Sequence, residues 1–96
     1  MTEQLEIVGL VIEGVVAIQM ASGRTAEGLD ATTDLLTAVE GFDSLNCLEV
    51  LMFVGARLDA ELPDALLGLD SGSGKLSVAD LSSRISAEME NDHGKH

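Results

Sequence analysis

The sequence predicts an all-α domain: a small four-helix bundle with three main helices, one short third helix, and a long loop between the first and second helices. Three observations favour this class. The chain has 96 residues, which suits a single domain. Its hydrophobic residues make up 46% of the total and recur at helical spacing. Clusters of glycine, serine and proline separate the apolar segments from one another.

The first helix is predicted over Glu3 to Met20. At 100° per residue its apolar positions fill one broad face: Leu5, Ile7, Val8, Val11, Ile12, Val15, Val16 and Ile18. Gly9 and Gly14 weaken this helix, each by roughly 1 kcal/mol relative to alanine. Glu6 and Glu13 interrupt the apolar run, so the segment is not expected to cross a membrane.

A long connection follows, from Ser22 to Phe42. We expect Leu35, Leu36 and Val39 to hold it against the core, within one helical turn. A loop of this length in a small domain is usually functional, or else part of it has been wrongly assigned as loop.

The second helix is predicted from about Ser44 to Leu58, and it carries two apolar stripes. One is an ordinary core stripe: Cys47, Val50, Leu51, Val54 and Leu58. The outer stripe lies on another side and consists of Leu45, Leu48, Met52 and Ala56, with Glu49 at its edge. The simpler interpretation is that neighbouring helices enclose both stripes. The alternative is a solvent-facing apolar patch with an acidic rim, which is typical of helices that dock in grooves.

The rest of the chain predicts two more helices. Pro63 suits the first position of a short third helix, Pro63 to Leu69. "SGSG" at Ser71 to Gly74 indicates a flexible joint. "SVAD" at Ser77 to Asp80 resembles a capping box that opens the last helix. The apolar stripe of that helix is Val78, Leu81, Ile85 and Met89. We therefore expect one domain over residues 1–90 and a frayed tail over residues 91–96.

The charge of the chain limits its partners. Seventeen acidic residues against five basic ones give a net charge of −12, and no base occurs between Thr25 and Ala56. Such a field repels nucleic acid and anionic membranes and attracts basic protein surfaces. A general solubility charge is the simpler interpretation. The single cysteine, Cys47, excludes an internal disulfide, and the N-terminus lacks a signal-peptide pattern, so we expect a cytoplasmic location.

Ser44 is predicted in the first turn of the second helix. Its ordinary role there would be helix capping, but Asp43 could cap equally well, so the hydroxyl would not be required. A helix N-terminus favours negative charge by roughly 0.3–1 kcal/mol and accommodates phosphate. A phosphodiester attached to Ser44 would therefore be stabilised at this place.

With these motifs the chain resembles an acyl carrier protein. The resemblance rests on "DSL" at Asp43 to Leu45, a glutamate five residues after the serine, "LPD" at the end of the next loop, and the final "SVADL". It covers nearly the whole chain. It implies that Ser44 carries 4′-phosphopantetheine, whose thiol holds an acyl group as a thioester. It also implies that the chain itself is not an enzyme. We expect no metal site, because the two histidines, His93 and His96, lie in the frayed tail and make a poor site.

The resemblance further implies a set of partners. A phosphopantetheinyl transferase would attach the arm from coenzyme A, with Asp43 assisting beside a magnesium ion. Leu45, Leu48, Glu49 and Met52 would contact acyltransferase, ketosynthase or acyl-ligase type enzymes that have basic docking surfaces. The carrier would act as a monomer.

Three features depart from the family's fatty-acid members. The second helix contains one acid where several are usual, and "GFD" stands where "GAD" is common. The linker "GLDSGSGK", Gly68 to Lys75, is also longer than expected. All three suit polyketide or other specialised biosynthesis. Two alternatives remain open: a freestanding aminoacyl or peptidyl carrier of a nonribosomal-peptide-type pathway, and a helical interaction module with no prosthetic group.

Overall fold

The apolar periodicity of the chain produces three α-helices: α1 (Gln4–Ala21), α2 (Ser44–Leu58) and α3 (Val78–Gly94). The computed structural model describes residues 4–36, 39, 41–67 and 76–94, without the side chains of residues 4, 44, 64 and 91–94. Helix α1 packs against both α2 and α3. A 3-10 turn, Asp64–Leu67, contacts α2 and α3.

The all-α class is therefore confirmed. The four-helix description is not, because the described residues contain three α-helices and only a four-residue 3-10 turn where the short third helix was predicted. The end of that predicted helix and the "SGSG" joint lie outside the described residues. None of the helices in the described ranges combines the length and apolar content that crossing a membrane requires.

Helix α1 buries a narrower face than the sequence predicts. Ile7, Val11 and Val15 are fully buried, but Leu5, near one edge of the predicted apolar face, is 79% exposed. Leu5 lies about 160° around the helix axis from Ile7, beyond the side that α2 and α3 cover.

The long connection is held against the core as predicted, since Leu35 and Val39 are buried and Leu36 is half-buried. In its described part, residues 22–36, 39 and 41–43, it contains turns and no helical turn. Its backbone is joined to the start of α3 instead. The N–H of Leu35 donates to the Leu76 carbonyl at 2.9 Å, and the N–H of Val78 donates to the Thr33 carbonyl at 2.9 Å. The N–H of Ala79 also donates to a loop carbonyl, that of Ala31, at 2.8 Å. The loop thereby pairs two of the N–H groups that a helix start leaves without a helical partner.

The predicted capping box of α3 is confirmed. The N–H of Asp80 donates to the Ser77 hydroxyl at 3.0 Å, and the N–H of Ser77 donates to the Asp80 carboxylate at 3.3 Å. The apolar stripe also lies as expected, with Val78, Leu81 and Ile85 buried and Met89 half-buried. The helix continues to Gly94, four residues beyond the predicted end of the domain.

Candidate functional site

The candidate site begins where the chain enters α2. Asp43 is the N-cap residue, and its carboxylate accepts a hydrogen bond from the N–H of Asn46 at 3.0 Å. The side-chain oxygen of Asn46 accepts in return from the N–H of Asp43 at 3.1 Å. These two bonds complete a capping box that fixes the first helical residue as Ser44. Asp43 is therefore the residue that caps α2.

The two residues next to Ser44 lie at the surface. Asp43 is exposed and Leu45 is 64% exposed, whereas Phe42, just before them, is buried in the core. The Ser44 side chain itself is outside the part of the chain that the structure describes. A bulky group attached at this residue has open surroundings on both flanks, so the residues present fit a covalently bound arm.

The core stripe of α2 is confirmed. Cys47, Val50 and Val54 are fully buried, Leu51 is 1% exposed, and Leu58 is half-buried. This side of the helix faces the aliphatic core.

The outer stripe of α2 is largely open to solvent. Met52 is 68% exposed, and Ala56 and Glu49 are also exposed. Leu48 differs from these residues, because it is half-buried and packs against the core. The enclosed interpretation of this stripe is therefore wrong for Leu45 and Met52. Contact with partners stays a prediction for all four proposed docking residues.

The third side of α2 faces α1. The Phe53 ring lies against Gly14, where a Cβ would come within 3.0 Å of it. The Arg57 guanidinium stacks over the same ring at 4.6 Å from its centroid and reaches Glu13 of α1 at 3.5 Å. No motif or periodicity in the sequence pairs these residues, and the one signal is Gly14, a glycine inside a helix.

An open groove of about 630 Å³ adjoins Met52 and was not predicted. It forms because the chain turns back sharply after α2: Asp59 adopts a left-handed conformation (φ 54°), and the N–H of Ala60 donates to the Gly55 carbonyl at 2.9 Å. Its walls are Leu51, Met52, Gly55, Ala60, Glu61, Leu62, Pro63 and Glu88. Its lining is therefore mostly apolar, with two carboxylates.

Burial controls the chemistry of Cys47. Desolvation raises the pKa of its thiol to about 11, and the charges of Asp43 and Asp34 contribute to this rise. The folded state thus favours the neutral thiol, which is not the nucleophilic form. Because the folded pKa lies above the ordinary value of 9.0, the stability that this group contributes is present below that value and is lost as the pH rises toward 11.

We expect Cys47 to resist alkylation in the folded chain at about pH 8 and to react readily in denaturant. Intact mass after treatment with iodoacetamide measures the extent of reaction. The variant Ala56→Cys supplies an exposed thiol on the same helix as a control. It should gain one label at once and a second only on unfolding. Equal labelling rates at both positions in the native state would contradict the prediction.

Fold and site together define a small all-α domain whose second helix presents an exposed apolar stripe with a carboxylate at its edge. Compared with protein-family models, with curated proteins and with solved structures, the chain matches none. What the chain does must therefore be inferred from its residues and from the geometry at α2.

Proposed function

We propose that this chain is an acyl carrier protein that bears 4′-phosphopantetheine on Ser44. The observation that carries the proposal is the placement of "DSL": Asp43 caps α2, Ser44 is its first residue, and Leu45 points an exposed side chain outward. When bound, the group supplies a thiol that holds an acyl cargo as a thioester. In this family the Asp64–Leu67 turn would take the place of the short third helix of a four-helix bundle.

The chain's own residues would attach and present the arm. Because Asp43 caps the helix, modification of Ser44 would leave that cap in place. An unassisted serine hydroxyl is a poor nucleophile, so a phosphopantetheinyl transferase would have to activate it with coenzyme A. The exposed Asp43 carboxylate, next to Ser44, would assist that step.

The outer stripe of α2 would receive the partner enzymes. Leu45 and Met52 expose apolar side chains that a partner can bury, and each buried methylene contributes about 0.8 kcal/mol. Glu49 is exposed beside them and would attract a basic docking surface on an acyltransferase, ketosynthase or acyl-ligase type enzyme. The single acid within α2 favours polyketide or another specialised pathway over fatty acid synthesis. We expect a monomer located in the cytoplasm.

The decisive experiment is intact mass after incubation with coenzyme A, magnesium and a transferase of broad specificity. We expect the unchanged chain to gain one phosphopantetheinyl unit and Ser44→Ala to gain none. Ser83→Ala removes an exposed serine from α3 and should load as the unchanged chain does. No gain by the unchanged chain, or an equal gain by Ser44→Ala, would end the proposal.

A second candidate is a helical interaction module without a prosthetic group. The same exposed Leu45 and Met52 favour it, because docking of α2 requires no arm. Protein purified from its source separates the two functions by mass. If Ser44 is unmodified in protein that still binds its partner, the result supports a helical interaction module. A thioester cargo supports a carrier, and an aminoacyl cargo would assign it to the nonribosomal-peptide type.

A further inference from the structure

Arg24 is fixed at the end of α1. Its N–H donates to the Gln19 carbonyl at 2.8 Å, and the N–H of Gly23 donates to the Met20 carbonyl at 3.1 Å. Gly23 has a left-handed backbone (φ 79°), which allows the chain to reverse at this point. The side chain of Arg24 therefore leaves the end of α1 from a defined position.

The guanidinium of Arg24 packs directly on Gly41. A Cβ at Gly41 would come within 2.5 Å of the guanidinium carbon and within 2.9 Å of both terminal nitrogens, so any side chain there would displace the guanidinium. The left-handed backbone of Gly41 (φ 71°) also favours glycine. Gly41 precedes Ser44 by three residues, which span no more than about 11 Å. The two ends of the long loop thus meet close to the first residue of α2.

Arg24 is the arginine placed at this end of α2. Arg57 lies at the other end of the helix, about 20 Å along the axis, and contacts Glu13 and Phe53. Arg84 lies on α3 and donates to the Leu66 and Leu67 carbonyls at 3.1 and 2.9 Å. Arg24 and Asp43 are both exposed residues, and Gly41, on which the Arg24 guanidinium packs, precedes Asp43 by two residues.

We propose that Arg24 is a positioning residue for the phosphodiester on Ser44. This inference rests on the proposed function. The attached group adds a negative charge next to the Asp43 carboxylate, in a stretch of chain that contains no base from Thr25 to Ala56. A guanidinium presents a planar set of donors that matches phosphate oxygens. By pairing with the phosphate, Arg24 offsets the repulsion from Asp43 and fixes the first segment of the arm against the loop.

The test compares loaded and unloaded forms of four chains: unchanged, Arg24→Gln, Arg24→Lys and Arg57→Gln. The last is the matched control, because it removes one positive charge from the opposite end of α2. Intact mass verifies loading with coenzyme A and a transferase. Two readouts follow: the melting temperature of each form at low salt, and the NMR resonance of the Arg24 Nε–H group.

We expect loading to shift the Arg24 Nε–H resonance in the unchanged chain. Loading should also lower the melting temperature of Arg24→Gln by about 2–5 °C more than that of the unchanged chain. Arg24→Lys should recover part of this difference. In Arg57→Gln, loading should change the melting temperature by the same amount as in the unchanged chain. If Arg24 only packed on Gly41, its replacement would lower the melting temperature of the loaded and unloaded forms equally.

Two results overturn the proposal in distinguishable ways. In the first, the chains load, the Arg24 Nε–H resonance does not move, and loading changes the melting temperatures of Arg24→Gln and the unchanged chain equally. Arg24 then only closes the loop, and the proposed function stands. If no chain gains mass, the proposed function fails and the inference fails with it. Should Arg24→Gln not fold, the resonance of the unchanged chain still decides, because a shift supports the pairing and its absence excludes it.

Discussion

The Leu51→Asp variant is expected to be largely unfolded at room temperature, whereas Met52→Asp, one residue further along α2, is expected to fold as the unchanged chain does. Leu51 is 1% exposed and packs in the core, so the change removes an apolar side chain and buries a charge. Such changes cost more than about 4 kcal/mol, a large share of the stability of a small domain. Met52 is 68% exposed, and its replacement should cost less than about 1 kcal/mol.

Met52→Asp is therefore a clean test of docking. We expect it to load on Ser44 and yet transfer cargo to a partner enzyme at least tenfold more slowly, because a charge replaces the apolar contact in the interface. Circular dichroism melting measures the fold, and the rate of cargo transfer measures docking. Unchanged transfer by a folded Met52→Asp chain would remove Met52 from the docking surface. Leu48→Asp is a poorer probe, because Leu48 is half-buried and its loss would also weaken the core.

The same substitution, glycine to alanine, is expected to have opposite effects at two helical positions. In Gly55→Ala the new Cβ would lie 2.7 Å from the carbonyl oxygen of Ala60, a backbone atom that cannot rotate away. In Gly9→Ala the new Cβ meets nothing within 4 Å. We expect Gly9→Ala to stabilise the domain by about 0.5–1 kcal/mol, through helix propensity alone. Gly55→Ala should destabilise it by about 1–3 kcal/mol, because the turn after α2 must move.

Urea unfolding of both variants measures these differences. For a domain of this size, each kcal/mol corresponds to a change of about 4–8 °C in melting temperature. Because Gly55 and Ala60 both line the groove beside Met52, we also expect Gly55→Ala to change its shape. Stabilisation by Gly55→Ala would show that the close approach of Ala60 is not required by the fold.

Sequence patterns predict those parts of this structure that depend on local chemistry. The start of α3 follows from Ser77 and Asp80, because a capping box joins residues only three apart. The two stripes of α2 follow from helical periodicity, which fixes directions around one axis. Periodicity does not predict which of the two stripes packs against another part of the chain. The exposure of Met52 and the half-burial of Leu48 are therefore known only from the three-dimensional structure.

The features that were not predicted depend on how closely another residue approaches a glycine. The groove depends on the approach of Ala60 to Gly55, five residues earlier, and the contact of Arg24 with Gly41, 17 residues later, closes the loop between them. Neither contact leaves a periodic pattern. In both cases the sequence carries one weak signal, a glycine in a segment that would otherwise tolerate a side chain. A glycine indicates that another residue approaches the backbone closely, but it does not indicate which residue that is.

The burial of Cys47 affects how reliably such a carrier would keep its cargo. A thiolate close to a thioester can take over the acyl group, which would strand the cargo on the polypeptide and leave the arm empty. Cys47 lies three residues after Ser44, but its side chain is fully buried and its pKa is about 11. Exchange between Cys47 and the thiol of such an arm would thereby be suppressed. In a carrier of the proposed kind, this helix would offer acyl groups a single sulfur, the one that partner enzymes can reach.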